Sequence, residues 1–499
     1  MFISRVSEKH KLVVIFLIYA VVIAVGLFFH EIWLDESQAW LIARDASLLD
    51  LFKLAGYEGS PVLWHLLLMP FAKLGLPIAS MQVLQFIIIL TAAGLLLKYA
   101  PFPWWMKALI LASYPMFYEY AIISRSYGLG VLLIFAVLSA WPNRQSKVWQ
   151  LALLITLLAQ VHIFGLWLAI CFVVYWLVDA RKMNGRVLAG NLFLIALPIL
   201  SIGLAVAMLW PPTDLSHSIA PFDFIFEWGD LEQLKFVITG AFFPIPDPGG
   251  RFWNNVWWSN QAVFSIGLFS FVVSYLSFYV GRSKLITLYS VMSSGMIILF
   301  LTKHLQASRY LVILVIILIA CYWLAELEKS KSSKSDLGLS RAMVSVVLIL
   351  QIPMAGIALT TDLFGMFSPS QQAAKVLRSD PDYVEVLLMS FPSQYGVSLL
   401  PFIDDAHKTV YGVEYERDVS YMVWNTEQSY GYDLGADVAI QRIEDVVAER
   451  KPKLAILAVA YDKDELWRPL LKKYAIYGDF SDALLNHEQL LLIDVTAPK

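Results

Sequence analysis

Two cysteines in 499 residues, Cys171 and Cys321, leave no room for a disulfide framework, and both sit inside apolar runs, where they read as packing residues. Charge is also scarce. Only 15% of the chain is Asp, Glu, Lys or Arg, and the formal net charge is −3. The absence of a basic stripe argues against a nucleic-acid binder. Histidine and cysteine never fall at zinc-ligand spacing, and the polar C-terminal part has neither a glycine-rich phosphate loop nor a repeat. What fills the chain instead is hydrocarbon: 59% of residues are hydrophobic, with a mean hydropathy of +0.64. So much apolar surface cannot be hidden in a water-facing globule, so the chain is expected to be a polytopic α-helical membrane protein. Seventeen tryptophans and twenty-three tyrosines suit that class, because amphipathic rings collect at membrane boundaries.

A span needs about 20 apolar residues to cross roughly 30 Å of hydrocarbon. Candidate spans lie at 11–29, 78–97, 103–122, 126–141, 148–178, 187–209, 261–280, 285–302, 310–326 and 342–361. The first has the basic neighbours of a signal peptide (Arg5, Lys9, Lys11) but no small-residue cleavage site, and reads as a retained span. The run 148–178 is too long for one helix. It divides near Gln160 to His162, since basic residues flank both of its ends. About eleven spans result. Basic loops then share one side, which places the N-terminus in the cytoplasm and 30–77, 210–260 and everything after 362 outside. The segment Pro61 to Gly75 is short and interrupted by Pro70; it is expected to lie on the membrane surface without crossing.

From about Phe364 the chain turns mixed and polar. VEVLLMSF, LAILAVAY and LLLIDV read as buried strands, with VAIQRIEDVVAER and KDELWRPLLKKY as amphipathic helices. The expected organisation is a membrane domain, 1–361, and an extracytoplasmic α/β domain, 362–499.

Ionisable residues at membrane edges are the informative ones. Asp35, Glu36, Arg44, Glu58, His65, Glu119, Arg125, His162, Asp214, His217, Asp223, Glu227, Arg251, Lys303, His304 and Arg309 all fall on the outer side, which implies a cleft holding both acids and bases. Asp35 and Glu36 point about 100° apart on a helix, so only one faces the cleft; Asp35 is the candidate general base. The two acids would equally favour the start of the helix that follows, and the sequence leaves both roles open. Trp33 and Trp40 read as interfacial anchors. Arg125 and Arg309, with Lys303, are shaped to hold a phosphate, although a snorkelling arginine at a helix end has the same sequence appearance. Glu58, His65, His162, His304 and Tyr310 are further pocket candidates. In the long outer loop, FFPIPDPGGRFWNNVWWSN carries Trp253, Trp257 and Trp258, either as a lid or as an inert interfacial hairpin. No cofactor is demanded; a divalent metal held by Asp35 and a distant acid is left open.

In combination, the acid pair after the first span, the proline-led helix EGSPVLWHLLL, the S-R-x-Y element at Ser124 to Tyr127 and the R-Y pair Arg309–Tyr310 resemble the GT-C membrane glycosyltransferases. The nearest branch is the bacterial relatives of protein O-mannosyltransferases and of the lipid A aminoarabinose transferase. The resemblance covers Met1 to Thr361. It implies a bacterial plasma-membrane enzyme that moves a sugar from a polyprenyl phosphate to a lipid, glycan or protein acceptor on the outer face. Asp35 and Glu36 would be its catalytic acids, and Arg125, Arg309 and Lys303 its phosphate-binding residues. Ser60 departs from the pattern, since relatives commonly carry histidine before that proline; His65 lies about one helical turn further on. The rival class is a transporter or flippase, whose sites usually lie near the midplane within internal repeats, and neither feature is visible here.

Overall fold

The structure, a computed structural model, describes residues 7–182, 191–215, 228–247, 253, 255–281, 283–302, 307–328, 337–403, 407–427 and 434–499. The chain forms two compact units. One takes Met1–Phe28, Gln82–Leu209 and Ala220–Leu363; the other takes Phe29–Met81, Trp210–Ile219 and Phe364–Lys499.

Among the described residues, eight helices are long and apolar enough to cross a membrane: Glu8–Phe29, Ala79–Tyr99, Ser126–Asn143, Ile163–Arg181, Gln261–Val280, Leu285–Thr302, Ser308–Glu328 and Gly338–Phe364. Each matches an expected span. Two shorter apolar helices, Val148–Leu158 and Leu192–Met208, fall on two more. Asn260 starts one span by accepting the otherwise orphaned N–H groups of Ala262 and Val263 at 3.0 and 3.2 Å. The long run 148–178 is divided where polar side chains have partners elsewhere. Gln160 donates to the Ser201 carbonyl at 2.8 Å, and His162 Nδ1 accepts the Gly165 N–H at 2.8 Å. Gly130 makes room for that histidine, since a Cβ there would stand 2.4 Å from His162 Nε2. The expected span 103–122 is not one helix: Trp104–Leu111 is followed by a π-helical turn at Pro115–Glu119, because Pro115 lacks the N–H an α-helix would use.

Within this unit Ser308–Glu328 is the central helix. In its most apolar stretch 83% of residues are buried, against 22% for Glu8–Phe29. Ile313 to Ala325 is apolar on all sides and enclosed by protein throughout, so Arg309 and Tyr310 sit at the mouth of the unit's core.

The second unit is built on a six-stranded mixed sheet of order β3-β2-β1-β4-β6-β5, with β1 Val386–Phe391, β2 Val410–Gly412, β3 Arg417–Val419, β4 Leu454–Ala460, β5 Ala475–Phe480 and β6 Leu490–Asp494. β1 lies parallel to β2 and β4; the remaining pairs are antiparallel. The period-2 alternation of β4 feeds two cores. Ile456, Ala458 and Ala460 face one side with Ala373 and Leu377 of helix Ser370–Arg378. Ala455, Leu457 and Val459 face the other, against Ala439 and Ile443 of helix Ala436–Arg450 and Leu470 of helix Asp464–Lys473. Leu41 of helix Leu34–Asp45 belongs to the first of these cores, so the segment that carries the acid pair packs on the sheet. Helix Leu63–Lys73 rises only about 16 Å at 1.5 Å per residue, too short to cross hydrocarbon.

Ile456 is fully buried in β4 and Ile476 half exposed in the edge strand β5. Ile456→Ala is therefore expected to destabilise the unit by about 2–5 kcal/mol and Ile476→Ala by much less. Denaturant unfolding of the two purified variants checks the ranking.

Candidate functional site

The acid pair of the second unit is organised by the start of one helix. Trp33 is the N-cap of Leu34–Asp45, in extended conformation, and Glu36 reaches back to accept its N–H at 3.2 Å. The same Glu36 oxygen meets His30 Nε2 at 3.0 Å, with both side chains fully buried. His30 is held in turn by an edge-on contact with Phe367 at 4.7 Å. The next orphaned donor, the Leu34 N–H, is accepted by Glu488 Oε1 at 2.6 Å. Glu36 is thereby occupied in the helix start, whereas Asp35, one residue before it, is only half buried. The two predicted acids have diverged as a 100° step requires.

Three more carboxylates of this unit have structural engagements. Glu31 accepts the Ser368 N–H at 3.2 Å and Gln372 Nε2 at 3.0 Å; burial raises its pKa despite those bonds. Glu58 accepts Gln38 Nε2 at 2.9 Å and Trp424 Nε1 at 3.1 Å, fastening helix Leu34–Asp45 to the 422–424 loop. Glu488 is buried, and desolvation pushes its carboxyl up to about 8, with the charges of Asp35 and Glu36 adding to the rise and hydrogen bonds from Ser368 and Leu34 opposing it. Trp33 and Trp40 are corrected from interfacial anchors to core residues, at 2% and 3% exposure. His65 is likewise buried, on helix Leu63–Lys73.

The first unit holds the arginine site. Arg309 lies over the Trp253 ring at 5.3 Å and the Tyr310 ring at 4.8 Å, and its Nη2 donates to Tyr310 Oη at 2.9 Å. Trp253, expected at the membrane surface, is instead 3% exposed. Its indole donates at 3.0 Å to Glu119 Oε2, which also accepts the Tyr114 hydroxyl at 2.7 Å. Tyr120 donates to the Arg309 carbonyl at 2.9 Å and stacks on Tyr127 at 5.3 Å. Tyr127 in turn meets His162 at 5.4 Å, and Phe164 meets Tyr310 at 5.7 Å. Arg125 is the N-cap of helix Ser126–Ala140, two residues before Tyr127, and is half buried. The fold thus gathers Arg309, Tyr310 and His162 around one aromatic cluster.

Sequence reasoning missed His30, Glu488, Tyr120 and Tyr127 as site-forming residues. Only Tyr127 left a trace, as the last residue of S-R-x-Y. Lys303, His304, His217, Asp223, Glu227 and Arg251 lie outside the described residues. Among the described residues, no group of three or more His, Cys, Asp or Glu is arranged to hold a metal ion.

No family model matches the chain, and no curated protein matches it by sequence. A solved structure does: ArnT from Cupriavidus metallidurans in the apo state, with a TM-score of 0.52 over 98% of this chain and 99% of that one, at 13% identity. The chain has a GT-C fold of the ArnT type, a polytopic helical membrane protein with a C-terminal α/β region. At this identity the likeness establishes architecture, and what the site does must be argued from its own residues.

Glu488 offers a pH test. Its folded pKa of about 8 lies above the ordinary 4.5, so the folded state binds the extra proton between those values. Its contribution to stability is present in full below about pH 4.5 and lost as pH rises through 8. Glu488→Gln keeps an oxygen for the Leu34 N–H and should flatten the fall in melting temperature across that window. An unchanged slope would assign the pH dependence to other groups.

Proposed function

We propose that the chain is an inverting glycosyltransferase that moves a sugar from a polyprenyl-phosphate donor to an acceptor hydroxyl on the outer face of the membrane. The observation that carries this reading is Arg309, a guanidinium oriented by Trp253 and Tyr310 at the start of the central membrane helix, in a chain whose fold follows ArnT over nearly its whole length. ArnT is the lipid A aminoarabinose transferase.

The chemistry is one displacement at the anomeric carbon. Asp35, half buried beside the capping Glu36, accepts the proton of the acceptor hydroxyl as that oxygen attacks. The bond from the anomeric carbon to the phosphate oxygen breaks on the opposite side, and the departing phosphate keeps the electron pair. A planar guanidinium can meet two phosphate oxygens at once, which suits Arg309 and Arg125 to the charge that develops there. Lys303 would add to the same field. Glu36, bound to His30 and to the Trp33 N–H, serves in this scheme to set the orientation of Asp35. An integral position in a bacterial plasma membrane, with the N-terminus inside, follows from the same reading and from the basic loops.

Transfer from a radiolabelled polyprenyl-phosphate sugar, measured in proteoliposomes, tests the assignment. Asp35→Asn is expected to lower turnover by about two to four orders of magnitude with donor binding retained. Arg309→Ala should weaken donor affinity more than it slows turnover of bound donor. Full transfer by Asp35→Asn would dismiss the base, and movement of substrate without transfer would favour a transporter.

A further inference from the structure

A second feature of the first unit lies apart from these residues. Helices Ile163–Lys182 and Leu285–Thr302 touch where Trp167 crosses Gly295: a Cβ on Gly295 would stand 2.1 Å from the indole, and Trp167 Nε1 donates to the Met292 carbonyl at 3.0 Å. Beyond this contact they enclose a groove of about 760 Å³ that extends to Val178 on one helix and Lys284 beside the other. From Trp167 to Val178 a helix rises about 17 Å, close to half of a hydrocarbon core about 30 Å thick. The groove therefore has the depth of one leaflet, closed at its inner end by the tryptophan. Its walls are apolar, and Val174 and Val178 are exposed at 55% and 42%, as residues facing acyl chains should be.

Among the described lining residues the charged ones lie at the far end: Asp179, Lys284 and Glu328. Asp179 is already neutralised by Arg144 at 2.6 Å. Among the described residues that line the groove, the charges left are those of the exposed Lys284 and of the exposed Glu328, which is oriented by the Tyr175 hydroxyl. We propose that this groove binds one phospholipid whose headgroup carries a primary ammonium beside its phosphate, with Lys284 taking the phosphate, Glu328 the ammonium and the apolar walls an acyl chain. A purely anionic headgroup would leave Glu328 facing a like charge. A quaternary ammonium could not donate a hydrogen bond to it. A polyprenyl chain is longer than a single-leaflet slot.

Native mass spectrometry of the purified full chain, offered equal amounts of phosphatidylethanolamine, phosphatidylglycerol and phosphatidylcholine with matched acyl chains, tests the proposal. The parent should retain phosphatidylethanolamine about tenfold over the others, the scale of one charge-assisted hydrogen bond. Glu328→Gln should abolish that lead, Lys284→Gln should weaken retention of all three, and Val174→Trp, at a lipid-exposed position, should fill the groove and release them with the melting temperature unchanged. The proposal falls if the parent shows no preference, if Glu328→Gln keeps it, or if Val174→Trp binds as much lipid. Displacement by polyprenyl phosphate at equal concentration would give the groove to that carrier and also overturn it.

Discussion

Hydrocarbon offers no partner to an N–H, a carbonyl or a charge, and an unsatisfied group there costs several kcal/mol. The first unit is shaped by that constraint. At two helix starts a side chain accepts N–H groups that the helix leaves over: Asn260 at one span, His162 after the interruption of the run 148–178. The same constraint explains why Arg309 is enclosed by aromatic faces. Tryptophan and tyrosine turn electron-rich faces toward the cation, which offsets part of the cost of holding a guanidinium among apolar side chains.

In the second unit the controlling problem is a helix start instead of a bilayer. Helix Leu34–Asp45 is buried against the sheet, so its free N–H groups cannot turn to water. Glu36 and Glu488 supply acceptors from opposite directions in the sequence, one three residues past the cap and one near the C-terminus. Burial there has an electrostatic consequence: desolvation, with the nearby charges of Asp35 and Glu36 adding to it, makes Glu488 hold its proton into the neutral range. Asp35, beside them, is only half buried. Local geometry has thus given Asp35 and Glu36 different surroundings, although in sequence they look interchangeable.

Much of this was legible beforehand. The spans at 261–280 and 285–302 begin and end where hydropathy and the flanking polar residues say they should, and the interruption at Gln160 to His162 was visible as polar residues inside an apolar run. Strands of the C-terminal part stood out as apolar runs, such as LAILAVA of β4 and LLLI of β6. Less visible were β2 and β3, only three residues each, and the largely exposed edge strand β5, which are too short or too mixed to show a strand pattern. The tryptophans misled for a related reason: an indole suits a membrane boundary and a packed core alike, and only its neighbours distinguish Trp33, Trp40 and Trp253 from surface anchors.

The amino-acid sequence by itself determined that the chain is a polytopic membrane protein, which segments are apolar and long enough to cross, and that an acid pair and an R-Y pair are candidates for chemistry, because these depend on composition and on local periodicity. The tertiary structure alone decided that Glu36 caps while Asp35 stays accessible, that residues 29–81 share a core with 364–499, and that Trp253 and Tyr310 enclose Arg309. Those outcomes rest on partners hundreds of residues apart, such as Leu34 with Glu488, and no local pattern encodes a hydrogen bond of that span.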